Sequence, residues 1–200
     1  MKENVLGSFR LFLALTLLLG LGYPALVWAI GQVAFREKAD GSLLRKEDKG
    51  GRATIVGSSL IGQLFLSRKF FHGRPSAAGD AGYDATATGG TNLGPTSKKL
   101  ANSIRDRVAA LRGENPDTAS LGRVPADAVT SSGSGVDPHI SPEYARLQIP
   151  RVARETGIPP GDLEALVARL VEGRFLGLYG EPRVNVLILN LDLVARGAAP

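Results

Sequence analysis

From Leu11 to Phe35 the chain reads LFLALTLLLGLGYPALVWAIGQVAF, 25 residues without a single charge. About 20 apolar residues of helix cross the hydrocarbon core of a bilayer, so this stretch is long enough to span one. In lipid the backbone must hydrogen-bond to itself, which makes a helix the form open to a single segment. Pro24 with Gly20, Gly22 and Gly31 therefore predicts a kinked helix rather than a broken one. Trp28 falls close to the exit, where aromatic rings settle at the interface. The alternative is a cleavable secretory signal, because Ala29 and Gly31 are small and spaced like a peptidase site. Against it, the apolar run exceeds the roughly 7 to 15 residues of a signal core, and Glu3 dilutes the positive leader. The expected layout is a tail at 1–10, a transmembrane helix at 11–35, a charged juxtamembrane connector at 36–52 and a folded domain at 53–200.

Charge does not give the sidedness of that span. Lys2 and Arg10 precede it, while Arg36, Lys38, Arg45, Lys46, Lys49 and Arg52 follow within a short distance. A plain count of basic residues would place the domain in the cytoplasm, yet large domains cross largely regardless of charge. After the span come 22 basic and 18 acidic residues, scattered among one another. That pattern lacks the basic clusters and stacking aromatics of a nucleic-acid surface. There is no cysteine, which excludes disulfides and thiolate metal sites. With only His72 and His139 available, no histidine-rich zinc site can be assembled.

Beyond the connector, ATIVGSSLIGQLF at 53–65 predicts a strand that bends at its glycines. The following segment, with 73–95 at its heart, is rich in Gly, Ala, Ser and Thr and has few apolar anchors. Its composition predicts flexibility, relieved only by ordering against a partner. Leu100, Ile104, Val108 and Leu111 mark a helix from Thr96 or Ser97, ended by Gly113 and Pro116. Ser141-Pro142-Glu143 reads as cap, first-turn proline and first-turn acid of a second helix, which Pro150 should kink or end. A third helix is expected from Pro160 to Glu172, with Gly173 as its stop. RVNVLILNLDLV at 183–194 alternates Leu187, Leu189, Leu191 and Leu193 and predicts a strand. The fold class is thus an α+β soluble domain tethered by a single amino-terminal transmembrane helix.

The loop TSSGSGVDPHISPE at 130–143 gathers serines, Asp137 and His139, the residue types of a nucleophile triad. A membrane-anchored hydrolase using Ser134 and His139 is one reading. The other is a tight Gly/Ser loop before a helix, with Ser141 as the cap.

Five segments carry a resemblance: GSSLIGQLF at 57–65, FFHGRPSA at 70–77, GGTNLGPTS at 89–97, TSSGSGVDPHIS at 130–141 and LGLYGEPRVNVLILNLDL at 176–193. Together they resemble the KdpC family, the C subunits of Kdp potassium-transporting ATPases, over nearly the whole chain. Thr91, Ser97, Ser131 and Tyr179 are small departures from the residues usual at those places. The resemblance implies a non-catalytic accessory subunit of a bacterial inner-membrane complex that imports potassium at the expense of ATP. Its partners would be the ATPase subunit, a potassium-channel-like subunit and a small accessory membrane subunit, with the amino terminus cytoplasmic and the main domain periplasmic. Consistent with that division of labour, the chain has no DKTGT phosphorylation motif, no GxxxxGK[ST] phosphate loop and no set of pore helices.

The resemblance further implies a catalytic-chaperone role that raises the ATPase subunit's affinity for ATP. Gln63, Gly89 and Gly90 are the positions suited to meet nucleotide, since glycine amides approach phosphates and a glutamine amide can bond a ribose or base. The structural alternative makes Gly62 a bulge and Gly89-Gly90 a turn. Under the same resemblance Asp137 and His139, with Arg74 and Asn92, organise loops or meet a partner subunit rather than catalyse. No metal is expected.

Overall fold

The structure, a computed structural model, describes residues 2–47, 51–116 and 123–198. Residues 48–50, with Lys49 of the expected connector, lie outside the described residues.

The uncharged stretch up to Ala34 lies in one helix, Lys2–Ala34, capped by Phe35 and with none of its most apolar window buried in the protein. It comprises α1 (Lys2–Leu17), a π-helical turn at Leu18–Gly22 and α2 (Tyr23–Ala34). The π turn lies just ahead of Pro24, where the ladder must change. Pro24 has no N–H, and the Tyr23 amide donates five residues back to Leu18 O. So the proline and glycines are absorbed without ending the helix.

The chain divides into two compact units after Ser58. In the first, the segment read as a connector contains a short helix α3 (Arg36–Ala39) and strand β1 (Leu43–Glu47). Strand β1 pairs antiparallel with β2 (Ala53–Ser58), with a register irregularity between Leu44 and Arg45. The expected strand at 53–65 therefore stops at Ser58. Its pairing partner runs out there, and Leu60 to Phe65 continue as irregular chain in the second unit.

Among the described residues the second unit is built on four α-helices and a small sheet. Helix α4 (Lys98–Glu114) starts at Ser97, whose hydroxyl accepts from the Leu100 amide, and runs through Gly113 to Glu114. Helix α5 (Pro142–Thr156) starts at Ser141, which accepts from the Tyr144 amide, and is stopped by Gly157 at φ 76°. Pro150 lies inside α5 and does not end it. Buried neighbours Ile149, Arg151 and Val152 hold that turn in place by packing, which outweighs one lost ladder bond. Strand β3 (His139–Ile140), strand β4 (Val171–Glu172) and strand β5 (Arg183–Asn185) make an antiparallel sheet in the order β3-β5-β4. Helix α6 (Pro160–Leu170) ends before the expected Glu172, because Val171 and Glu172 pair with Val184 and Arg183.

The last element corrects the sequence reading. Only Arg183–Asn185 is strand, and Val186–Ala195 is helix α7. Val186, Leu189, Asn190 and Leu193 are buried at spacings of three, one and three, the stripe of a helix. The leucines alternate as well, so periodicity fits both forms. The local decision rests with Asn185, whose side chain accepts from the Ile188 amide and caps the helix. Ile140, Val152, Leu163, Leu166, Val167, Val184, Leu189 and Leu193 form the solvent-free core around this helix.

Candidate functional site

The glycine-rich segment after Phe71 has almost no regular structure, yet it is tied into the second unit by specific bonds. Gly62 N–H donates to Val136 O at 2.8 Å, and Gly89 N–H to Ser134 O at 2.9 Å. Ser76 Oγ donates to Gly135 O at 2.6 Å and accepts from the amides of Ala78 and Tyr83. The Tyr83 hydroxyl donates to Arg74 O at 2.7 Å. The expectation that 73–95 would order only against a partner is thus overturned for 73–90. Backbone and hydroxyl bonds to the 132–136 loop supply what its apolar content cannot.

Asp137 is the hub where the two segments meet. One carboxylate oxygen accepts from the His139 amide at 3.0 Å and lies 3.6 Å from His139 Nδ1. The other accepts from Arg74 Nη1 at 3.1 Å. Burial would raise the Asp137 carboxyl, but the bonds from His139 and Arg74 outweigh it and hold the group below the usual carboxylate range. The Tyr83 hydroxyl is pushed up to about 12, by burial first and by the Asp137 charge second. Arg74, Asp137, His139 and Ser141, with Glu181 and Arg183, line an open cleft of about 490 Å³. These charges are paired: Arg74 with Asp137, Arg183 with Glu172, Glu181 with Arg174.

Gly62 is needed here for space. A Cβ added to it would sit 2.6 Å from Asp137 O and 2.7 Å from the Tyr83 ring. Gly90 approaches Gly133 closely, since a Cβ there would be 3.1 Å from the Gly133 carbonyl oxygen. Gln63 follows Gly62 and is half-buried. The Gly89 amide is engaged by the Ser134 carbonyl. Asn92 is exposed with φ 52° and does not join this cluster. The structure therefore brings together Arg74, Asp137 and His139, with Gly89 and Gly90 along the same 132–136 loop, and leaves Asn92 apart.

Ser132, Ser134 and Ser141 are occupied in shaping that loop, while the buried Ser131 Oγ has no hydrogen-bond partner among the described residues. Ser132 Oγ accepts from the Gly135 amide and Ser134 Oγ from the Val136 amide. Ser141 Oγ donates to Asp127 Oδ1 at 2.9 Å while the Ser141 amide donates to Asp127 Oδ2 at 2.6 Å. Among the described residues no serine hydroxyl is hydrogen-bonded to His139, so the nucleophile-to-base contact of a triad is not formed.

A second constellation escaped the sequence reading. Arg151, buried on α5, donates through Nη1 to the carbonyls of Arg68 and Phe70, through Nη2 to Gln148 Oε1, and through Nε to Asn115 Oδ1. Gln148 Oε1 accepts from the His72 amide at 2.7 Å and its Nε2 donates to His72 O at 3.1 Å. His72 itself meets Ser67 O through Nε2 and Glu114 through Nδ1, at 3.1 and 3.5 Å. Burial, then the Arg151 charge, lowers the His72 pKa. The signal for this network was faint: an arginine and a glutamine on the face of a helix that carries Tyr144, Leu147 and Val152. Tyr83 and Asp127 were also missed, Tyr83 being the one large aromatic in the glycine-rich stretch.

The chain as a whole is similar to known proteins. A family model for KdpC, described as K+-transporting ATPase, c chain, matches residues 5–195. A protein of Caulobacter vibrioides called potassium-transporting ATPase KdpC subunit is 52% identical over 181 residues, covering 90% of this chain and 87% of the relative. Proteins of the same name from Koribacter versatilis and Sorangium cellulosum are 48% and 50% identical over 193 residues. Each covers 96% of this chain, and the match extends over 95% and 98% of the relatives respectively.

Proposed function

Because the chain belongs to the KdpC family, the c chains of K+-transporting ATPases, we propose that it is a membrane-anchored accessory subunit needed for assembly or regulation of an ATP-driven potassium importer. It carries out no chemistry of its own in this reading. The observation that carries it is the match over nearly the whole chain to proteins named as ATPase subunits. The geometry of the loop cluster supports it: Ser132 and Ser134 accept from backbone amides, and Asp137 takes up the His139 amide and Arg74 Nη1, which builds a rigid surface rather than a reactive one.

A rigid accessory domain regulates only by binding two states of a partner unequally. Such a role does not require ATP to meet Gln63, Gly89 or Gly90, and the use of the Gly89 amide by Ser134 favours regulation through protein contact. We propose that the amino terminus lies inside and the domain outside, since large domains cross largely regardless of the flanking charge. The test is the purified complex with and without this chain. Potassium-dependent ATPase activity should be abolished without it, and full activity in its absence would defeat the reading.

A further inference from the structure

Phe175 N–H donates to Tyr179 O at 2.8 Å and Tyr179 N–H to Phe175 O at 3.0 Å, closing a hairpin between β4 and β5. Its turn places Leu176 at φ 53° and Gly177 at φ 73°, two successive left-handed residues. Asn, Asp or Gly is the usual first residue of such a turn. A leucine there bears the steric penalty of the left-handed region with no polar side chain to offset it. Nor does burial repay it, since Leu176 and Leu178 are 75% exposed, Phe175 71% and Tyr179 68%. Strain combined with exposure of four large apolar side chains stabilises nothing in the free chain. Both make sense when the tip is covered.

Charge indicates what covers it. From Glu172 to Arg183 the ionised side chains are two acids and two arginines, and they pair internally: Arg174 with Glu181 at 2.7 Å and Arg183 with Glu172 at 2.9 Å. No uncompensated cation is left to attract anionic lipid headgroups. A second copy would bring an identical convex tip, and two such tips are not self-complementary over the roughly 800 Å² per side of a stable interface. An uncharged apolar groove on a different protein fits. Two aromatics, each able to bury roughly 150 to 250 Å², would alone supply about half of one side of such an interface, and the two leucines add to it.

We propose that the Phe175–Tyr179 hairpin is an anchor that inserts into an apolar groove of another subunit of the ATPase complex, an inference that rests on the reading of the chain as a complex subunit. The test uses the full chain, tagged and co-expressed with the other subunits, then isolated in detergent. Leu176→Gly removes the side chain and relieves the turn. The thermal midpoint of the chain alone should hold or rise, while the co-purified partner falls about tenfold. Leu178→Ser should also lower recovery without lowering the midpoint.

Unchanged recovery for both variants overturns the proposal. So does a loss of recovery matched by a fall in the thermal midpoint of both. Binding of the chain alone to phosphatidylglycerol and phosphatidylethanolamine vesicles that drops in Leu176→Gly, with recovery intact, assigns the tip to lipid and equally overturns it. Full ATPase activity of a complex lacking the chain would remove the underlying reading instead, an outcome distinguishable from intact recovery of the variants.

Discussion

Asn190 holds Phe71 as a neighbouring strand would: its Oδ1 accepts from the Phe71 amide and its Nδ2 donates to the Phe71 carbonyl, each at 2.9 Å. Gln148 repeats the arrangement on His72. Two side-chain amides on α7 and α5 thereby satisfy the backbone of a segment that belongs to no sheet. Asn190→Ala should leave two buried backbone groups unpaired and cost about 2 to 4 kcal/mol. Asn190→Leu, which keeps the volume, should cost about as much. Thermal or denaturant unfolding of both variants measures it, and a near-neutral leucine variant would show that the amide fills space only.

The contact of Gly62 with Asp137 and Tyr83 predicts a sharp contrast between two glycines. Gly62→Ala forces a Cβ against the Asp137 carbonyl and the Tyr83 ring and should destabilise by about 1 to 3 kcal/mol. Gly133→Ala meets nothing within 4 Å and does not sit at a positive φ, so its stability should not fall. Side-by-side unfolding curves decide this.

Two groups set an acid dependence of the same sign. Asp137 titrates in the fold below its ordinary value, so the folded chain binds fewer protons than the unfolded one in that interval. Its contribution is present above the unfolded pKa of about 3.9 and is lost as pH falls through the lower folded value. His72 is also lowered, by burial first, so its neutral form is favoured in the fold and stability declines as pH drops below its unfolded pKa of about 6.5. Stability measured against pH should fall in two stages. Asp137→Asn should flatten the lower stage and His72→Gln the upper.

Hydrogen exchange of the chain without partners should find the amides of Gly62, Tyr83 and Gly89 protected, since each is bonded within the unit. Thr91, Asn92, Gly94 and Pro95 are exposed, and the amides of the first three should exchange fast. Equally fast exchange throughout 73–95 would show that the loop cluster forms only in the assembly.

Protease added to intact spheroplasts should reach the domain from Ser59 onward. Protection of all of it would reverse the proposed orientation and place the loop cluster on the side where cellular ATP is found.

The sequence by itself determined the features written into short, local patterns. The uncharged run Leu11–Phe35 specifies a long helix because nothing in it can bear a different solvent, and Ser97 and Ser141 specify helix starts because their hydroxyls satisfy amides three residues away. The resemblance to a family singled out Arg74, Asp137 and His139 as candidate loop organisers, and the structure brings the three together. What depended on distant partners was not legible. Tertiary packing, together with the Asn185 cap, decided that 186–195 is a helix, because its residues fit both a period of two and one of 3.6 and the core around Leu189 and Leu193 takes the helical face. It also decided that the glycine-rich stretch is ordered, since its bonds run to residues 134–137, 45 to 63 positions away, and no local pattern announces them. Pro150 shows the same rule in reverse. A local breaker stays inside α5 because burial on either side of it stabilises the helix by more than one missing hydrogen bond costs.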